Sequence, residues 1–574
     1  MQNRFRPSIP RCRRALAALL AVLVWLHSAV LKESEAAQSA PEPVQARLRQ
    51  RLEAAPLPPS LVVAGERVRV PLALLLFYER RAYHPAWSRD AVLLPHGAAL
   101  VAAIEAIDQE GLRPADYHLA QIHALLTALR AAHEQHSFPD PEYLVDLDLL
   151  LTDAFFLYSA HLLAGRIDPD TDRTEWKDTR RKVDLVALLE TALATNHVET
   201  VLRSAPPSHP LYVNLRQALA QYRKIAAAGG WPKVPDCPKL YPGDRAPCVR
   251  HLRARLQAEG FLPPVPVPAK DKDLYDDALA RAMRRFQRRH GLSVDAIVGP
   301  ATLAALNVSA EARARQIALN LERLRWLPRE LEPRALVINV TGFTLEAWEY
   351  GRPVLKMRIV VGKEGTATPV FSAPMTYLVL NPEWHLPHSI ATKEMLPRIR
   401  RDPGYLTAHR IQVVQRVDGE PRVIDPGTID WNQLSADNFP YRLRQQPGPT
   451  NSMGRIKFMF PNRFSVYLHD TPARTRHLFS SRVRTFSHGC IRVEDPLELA
   501  TYVLQDSQQW NQDALVATLD RGRKRTVRLA TPIPVHIVYW TAWVDQDGVL
   551  QFRPDIYGYD TRLDKALRKA PPTL

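Results

Sequence analysis

The hydrophobic period changes once along this chain, near residue 335, and that change narrows the folds open to it. From Leu72 to about Ala228 apolar residues recur at threes and fours, the spacing of one helix face. Leu100, Ala103, Ile104 and Ile107 mark a helix over 98–110, closed by Gly111. Leu147, Leu150, Leu151, Ala154 and Phe155 mark a longer one over 143–164, closed by Gly165. From Ala335 the pattern becomes strand-like, with runs at 336–341, 344–350 and 355–361 punctuated by Gly342, Gly351 and Gly362. Similar runs return at 376–380, 456–460, 464–468 and 535–544. A chain of 574 residues exceeds one core, so a multidomain α+β architecture is expected.

The expected divisions follow composition and breaks. Residues 1–37 form a signal or membrane anchor, 38–69 a Pro/Ala/Arg-rich linker, and 70–230 a helical scaffold ending at Gly229-Gly230-Trp231-Pro232. Residues 237–308 form a three-helix module, with helices over 249–259, 275–290 and 300–307. Its core is expected to be Val249, Leu252, Leu256, Leu279, Met283, Phe286, Leu303 and Leu306. A linking helix covers 309–330. A mainly-β domain spans 335–545, carrying a helical or loop-like insert over 384–450 of the kind that serves as a lid, and 546–574 is a C-terminal tail.

Arg4, Arg6, Arg11, Arg13 and Arg14 precede a mainly apolar run from Ala15 to Leu31. That order reads as an export signal, with Ser34, Ala36 and Ala37 as a cleavage zone. Cleavage and an uncleaved inner-membrane anchor both stay open, and either places the bulk of the chain outside the cytoplasm. The net charge of +16 is partly this segment, and the remaining basic residues are spread along the chain. There is no zinc-finger spacing, aromatic RNA-binding motif or Lys/Arg stripe, so nucleic acid is not an expected partner.

Of four cysteines, Cys12 lies in the export segment, and Cys237 and Cys248 flank a Pro/Gly-rich turn. In an oxidising compartment that close pair most simply forms a disulfide; a zinc site with His251 is the rival and lacks a fourth ligand. Cys490 is left over, in Ser487-His488-Gly489-Cys490-Ile491-Arg492-Val493. An unpaired thiol in an exported protein is a partner thiol or a reactive one. The thiolate is the nucleophile, so a base or a positive charge must favour it. His488 stands two positions before it, and His469 closes the run 464–468. A thiol on a loop beside a base at a strand end suits acyl transfer. Gly489 allows positive φ and would let backbone N–H groups face an oxyanion; Ser487 could orient a histidine; Arg492 suits a substrate carboxylate. Singly, each residue reads as core, turn or surface; the cluster is what points to chemistry.

His469, seventeen intervening residues, then Ser487-His488-Gly489-Cys490 resembles the signature of the L,D-transpeptidase (YkuD-type) catalytic domain. The flanks Asn381-Pro382-Glu383-Trp384, Lys457-Phe458-Met459-Phe460-Pro461-Asn462 and Tyr467-Leu468-His469-Asp470-Thr471-Pro472 resemble the larger periplasmic YcbB-type branch. Residues 237–307 resemble a peptidoglycan-binding type 1 module, although Asp295-Ala296 stands where an Asp-Gly turn is common. Phe77-Tyr78 to Trp87, with Gly111-Leu112, resembles that branch's scaffold.

The resemblance implies a cysteine acyltransferase without metal or cofactor. Cys490 attacks a tetrapeptide stem, releases D-Ala, and passes the acyl group to an acceptor stem as a 3→3 crosslink. It also implies His469 as proton carrier, Ser487 as its orienter, Gly489 with Cys490 as oxyanion donors and His488 as loop support. Tyr467, Trp384 and Asn381 would border substrate, and carbapenems would acylate the same thiol. Hydrolysis as an L,D-carboxypeptidase, linking or cleaving of lipoproteins, and a non-catalytic wall-binding role are the alternatives.

Overall fold

The computed structural model describes residues 43–54, 61–89, 92–136, 140–167, 184–264, 266–402 and 404–574. The export segment, Cys12 included, lies outside them.

The helical region is built round Pro141–Ala164, which buries residues on all sides. By length and composition it could cross a membrane, but here it is the core helix of the scaffold. Asp148 and Asp153 on it are buried and hold neighbouring backbone: Asp148 accepts from the N–H groups of Ala86 and Trp87, and Asp153 from those of Arg69 and Val70. Gly165, at φ +82°, ends the helix; a Cβ there would lie 2.7 Å from Trp326 Nε1. The segment read as a linker instead holds a helix, Pro43–Ala54, with Leu48 and Leu52 buried against the scaffold. Two leucines four apart among charged residues make one short apolar stripe, too sparse to register as periodicity.

The small module has helices Val249–Ala258, Asp277–Arg289 and Pro300–Leu306. Its core contains the expected residues, with Leu303 at the margin. Cys237 and Cys248 are disulfide-bonded, which removes the zinc alternative. Ala296 adopts φ +64° and is fully buried; its N–H donates to Gln287 Oε1 and its carbonyl accepts from Tyr275. The helix Ala310–Arg325 then runs between scaffold and β domain, buried along both sides.

The β domain is one nearly closed sheet. Its strands, with those of the insert and the C-terminal hairpin, are β1 Arg334–Asn339, β2 Thr344–Glu349, β3 Arg352–Gly362, β4 Phe371–Leu380, β5 Trp384–His385, β6 Ile411–Val417, β7 Glu420–Ile424, β8 Arg442–Gln445, β9 Ile456–Met459, β10 Leu468–His469, β11 Thr485–Ser487, β12 Ile491–Val493, β13 Arg525–Val538, β14 Ala542–Val544 and β15 Leu550–Phe552. The order is β11-β3-β12-β10-β9-β4-β13-β1-β2, and β2 pairs back to β3, closing a barrel-like ring. β3 is long enough to pair with β2, β12 and β11 in succession.

Two expectations change. The insert 384–450 is a compact unit with its own sheet, β7-β6-β8-β5, over a core of Ile399, Leu406, Val413, Trp431 and Leu443. β5 pairs with β8, so both ends of the insert meet at one neck. The 546–574 segment is not a loose tail. It holds β15 and the helix Tyr559–Arg568, whose Leu563 and Leu567 join the main core. It also receives the small module: Arg289 Nε donates to Leu550 O, and His290 stacks on Phe552.

Candidate active site

Cys490 sits in the turn between β11 and β12, and its setting is clamped from three directions. The Ser487 hydroxyl donates to Cys490 O at 2.5 Å and accepts from the Gly489 N–H at 3.2 Å. Behind the turn, Lys363 N–H and Thr366 Oγ1 donate to Ser487 O, and Thr368 Oγ1 donates to Gly489 O. In front, Ile491 N–H donates to Tyr467 O, and β10 runs parallel to β12 with His469 opposite Arg492. Gly489 has φ +111°, so the turn needs a residue without a Cβ. Gly362 is required for a different reason: a Cβ there would lie 2.0 Å from Thr366 O. Tyr557, from the C-terminal segment, donates to Gly362 O at 2.5 Å and so braces the same loop from behind.

The thiol faces a cavity of about 480 Å³ lined by both the barrel and the insert. His469, Ser487, His488, Arg492, Tyr467 and Trp384 all reach it. Burial pushes the Cys490 thiol above its ordinary range; the Tyr467 N–H and hydroxyl and the charges of Lys457 and Arg492 pull the other way without prevailing. His469 is fully buried, and burial with the Arg492 charge holds its pKa down to about 3. Its Nδ1 donates to Asp470 O at 2.6 Å, which leaves Nε2 as the unprotonated nitrogen. Thiol and imidazole are therefore both neutral at rest. Arg492 is largely buried, and its Nε finds no hydrogen-bond partner.

Some assigned roles move. Ser487 bonds within its own turn and does not touch His469, whose ring is held by Asp470 O instead. The Gly489 N–H is taken by Ser487 and is not offered to an oxyanion. His488 pairs with Glu394 of the insert, Nε2 to Oε1 at 2.6 Å. The strand before His469 is only β10, because residues 464–467 form a turn in which Asn462 and Val466 bond to each other. Asn381 is absent from the cavity. At φ +46° it donates its amide to Thr518 O, Leu519 O and Arg523 O, capping a helix end.

Lys457 was not anticipated. It lies opposite His469 on β9, its ammonium 3.6 Å from the Tyr467 ring centre, and burial lowers its pKa. The available signal was a cation set between Ile456 and Phe458 in a strand. Among the described residues no cluster of His, Cys, Asp and Glu could hold a metal ion.

Residues 333–535 match the L,D-transpeptidase catalytic domain. This part of the chain is an L,D-transpeptidase catalytic domain. In the same chain, residues 73–219 match a scaffold domain and 245–306 a "Putative peptidoglycan binding domain". A Haemophilus influenzae protein named "Putative L,D-transpeptidase" is 32% identical over 252 residues, 44% of this chain. The chain spans about half that relative's length, 49%. Among solved structures, an L,D-transpeptidase from Mycobacterium smegmatis is 14% identical, covering 36% of this chain and 58% of its own, with a TM-score of 0.16. One from Stackebrandtia nassauensis is 13% identical, covering 54% and 96%, with a TM-score of 0.19.

Proposed function

We propose that this protein is a peptidoglycan L,D-transpeptidase of the YcbB-like type, exported to the periplasm or held at the inner membrane, that forms 3→3 crosslinks between stem peptides. The observation that carries the reading is the convergence of Cys490, His469 and an unpartnered Arg492 Nε on one cavity of the transpeptidase domain.

The chemistry fits a neutral resting pair. As the sulfur attacks the carbonyl of the third stem residue, its proton passes to His469 Nε2. The tetrahedral intermediate collapses, the proton goes to the departing amine, and D-Ala leaves a thioester on Cys490. An acceptor amine then attacks the thioester, gives its proton to His469 and restores the thiol. Arg492, largely buried with its Nε unpartnered, suits the terminal carboxylate of the donor stem. The Tyr467 N–H and hydroxyl, which both approach the sulfur, stabilise the developing thiolate. A carbapenem is expected to acylate the same thiol, because its strained ring is an acyl donor of similar shape.

The insert supports transfer over hydrolysis. Trp384, Ile390, Met395 and Tyr405 wall the cavity from above, which leaves a sheltered place for an acceptor and limits water. The test is incubation of the protein with a disaccharide-tetrapeptide and mass analysis. A dimer lacking one D-Ala is expected, and Cys490→Ala should abolish it. Product formation by Cys490→Ala would overturn the reading, and free tripeptide alone would favour the carboxypeptidase.

A further inference from the structure

A second cavity, about 420 Å³, lies where scaffold and barrel meet, away from the thiol. Three indoles line it: Trp348 on β2, Trp540 just after β13, and Trp543 on β14. Glu346 stands two residues before Trp348 on the same strand face. Its carboxylate accepts from Trp348 Nε1 at 3.2 Å and pairs with Lys356 Nζ at 2.8 Å. The Trp543 ring is held on one side by the Arg553 guanidinium, 4.9 Å from its centre. Arg352 stands exposed on the rim, and Asn214 of the helix Pro210–Ala227 faces in from the scaffold.

That combination is specific in chemistry. Trp348 and Trp540 are buried walls, and the half-buried Trp543 offers a flat indole face that matches the apolar C–H face of a pyranose ring, while a fixed carboxylate, an amide and two cations around it suit the sugar's hydroxyl and acetamido groups. The acidic members Glu346 and Asp545 disfavour a phosphate backbone.

The placement adds a second argument. Arg352 and Lys356 begin β3, and Val361 and Gly362 at its other end pair with the strand that leads into Cys490. At about 3.3 Å per residue, the stretch from Lys356 to Gly362 separates the two cavities by roughly 20 Å along one strand. We propose that the tryptophan cavity is a saccharide subsite, holding the amino-sugar glycan strand of the polymer whose stem peptides enter the Cys490 cavity. The choice of this glycan rests on the reading that peptidoglycan is the substrate.

The probe is a β-1,4-linked N-acetylglucosamine hexamer, titrated into the protein and followed by tryptophan fluorescence and calorimetry. Trp543→Ala should weaken binding about tenfold or more, as expected when a central aromatic anchor is removed. Arg352→Ala should weaken it severalfold. Both variants should keep wild-type acylation of Cys490 by a β-lactam. Hexamer binding absent from wild type, or equal in all three proteins, would overturn the proposal; equal binding would assign the saccharide to the three-helix module. Should Trp543→Ala fail to fold, Arg352→Ala on the exposed rim decides alone. Failure of the transpeptidation reading registers separately, as loss of crosslinked product while hexamer binding stays.

Discussion

At the scale of single residues the site departs from the usual picture of an activated cysteine. A thiolate–imidazolium pair needs a lowered thiol pKa, yet burial raises that of Cys490 and drives His469 down to about 3. The charges that oppose burial at the sulfur, Lys457 and Arg492, belong to groups that are themselves largely buried. The consequence is a reactivity that climbs with pH. Below its pKa the thiolate fraction rises about tenfold per unit, so alkylation of Cys490 should climb from pH 6 through pH 9 without levelling. Iodoacetamide labelling followed by peptide mass mapping measures this. A plateau reached by about pH 6 would mean a preformed ion pair and would sink the neutral-pair mechanism. Cys490 and His469 were legible from the sequence because their spacing and residue types are both distinctive. The second tier was not. Thr366, Thr368, Gly362 and Tyr557 are ordinary residues whose role exists only once β3 and the C-terminal segment lie against the Cys490 turn.

Among elements, helices were read more closely than strands. Val249–Ala258, Asp277–Arg289 and Pro141–Ala164 begin and end within two residues of expectation, because a cap, glycine or proline closes each, whereas the linking helix stops at Arg325, short of 330. Strands failed where partners decide them. The first half of β13 is paired to β4, and its residues Arg525–Arg528 carry too much charge to read as a strand alone. The insert's sheet was missed similarly, since Ile411 and Val413 alternate with polar residues over only one short run. The insert also touches the Cys490 turn through a contact no periodicity can reveal, His488 to Glu394, at the five-residue π-helical stretch Ala391–Met395. The two side chains are 40% and 36% exposed, so the pair contributes under about 1 kcal/mol. Glu394→Ala should therefore raise KM for a stem peptide by no more than about fivefold, with kcat little changed. Steady-state kinetics on the proposed tetrapeptide substrate check this. A loss confined to kcat would place His488 in the chemistry instead of the closure.

Over the whole molecule the parts are locked by the helix Ala310–Arg325. Gln316 donates to Thr541 O and Arg553 O, Arg325 pairs with Glu322 beside Tyr212, and Arg323 reaches Asp560 of the C-terminal segment. Each part also buries a histidine held neutral: His161 and His209 in the scaffold, His290 in the small module, His469 in the catalytic domain. Burial lowers all four, His209 to about 4 and His469 to about 3, with His161 and His290 also well below the ordinary value. Unfolding returns them to about 6.5, so below that pH the unfolded chain binds more protons than the folded one. Their contribution is complete above about pH 6.5 and is lost as pH falls toward the folded values. Each should remove about 1 kcal/mol between pH 7 and 5.5 from the unit that contains it. Asp148 and Asp470, raised by burial, act in the opposite sense, and their protonation offsets part of the loss at lower pH. Chemical unfolding at pH 7, 6.2 and 5.5 should therefore show stability falling in every transition. His290→Phe keeps the stacking on Phe286 and Phe552 but cannot titrate, so the transition containing the small module should lose about one proton's worth of slope. An unchanged slope in that variant would show that His290 takes up its proton without unfolding.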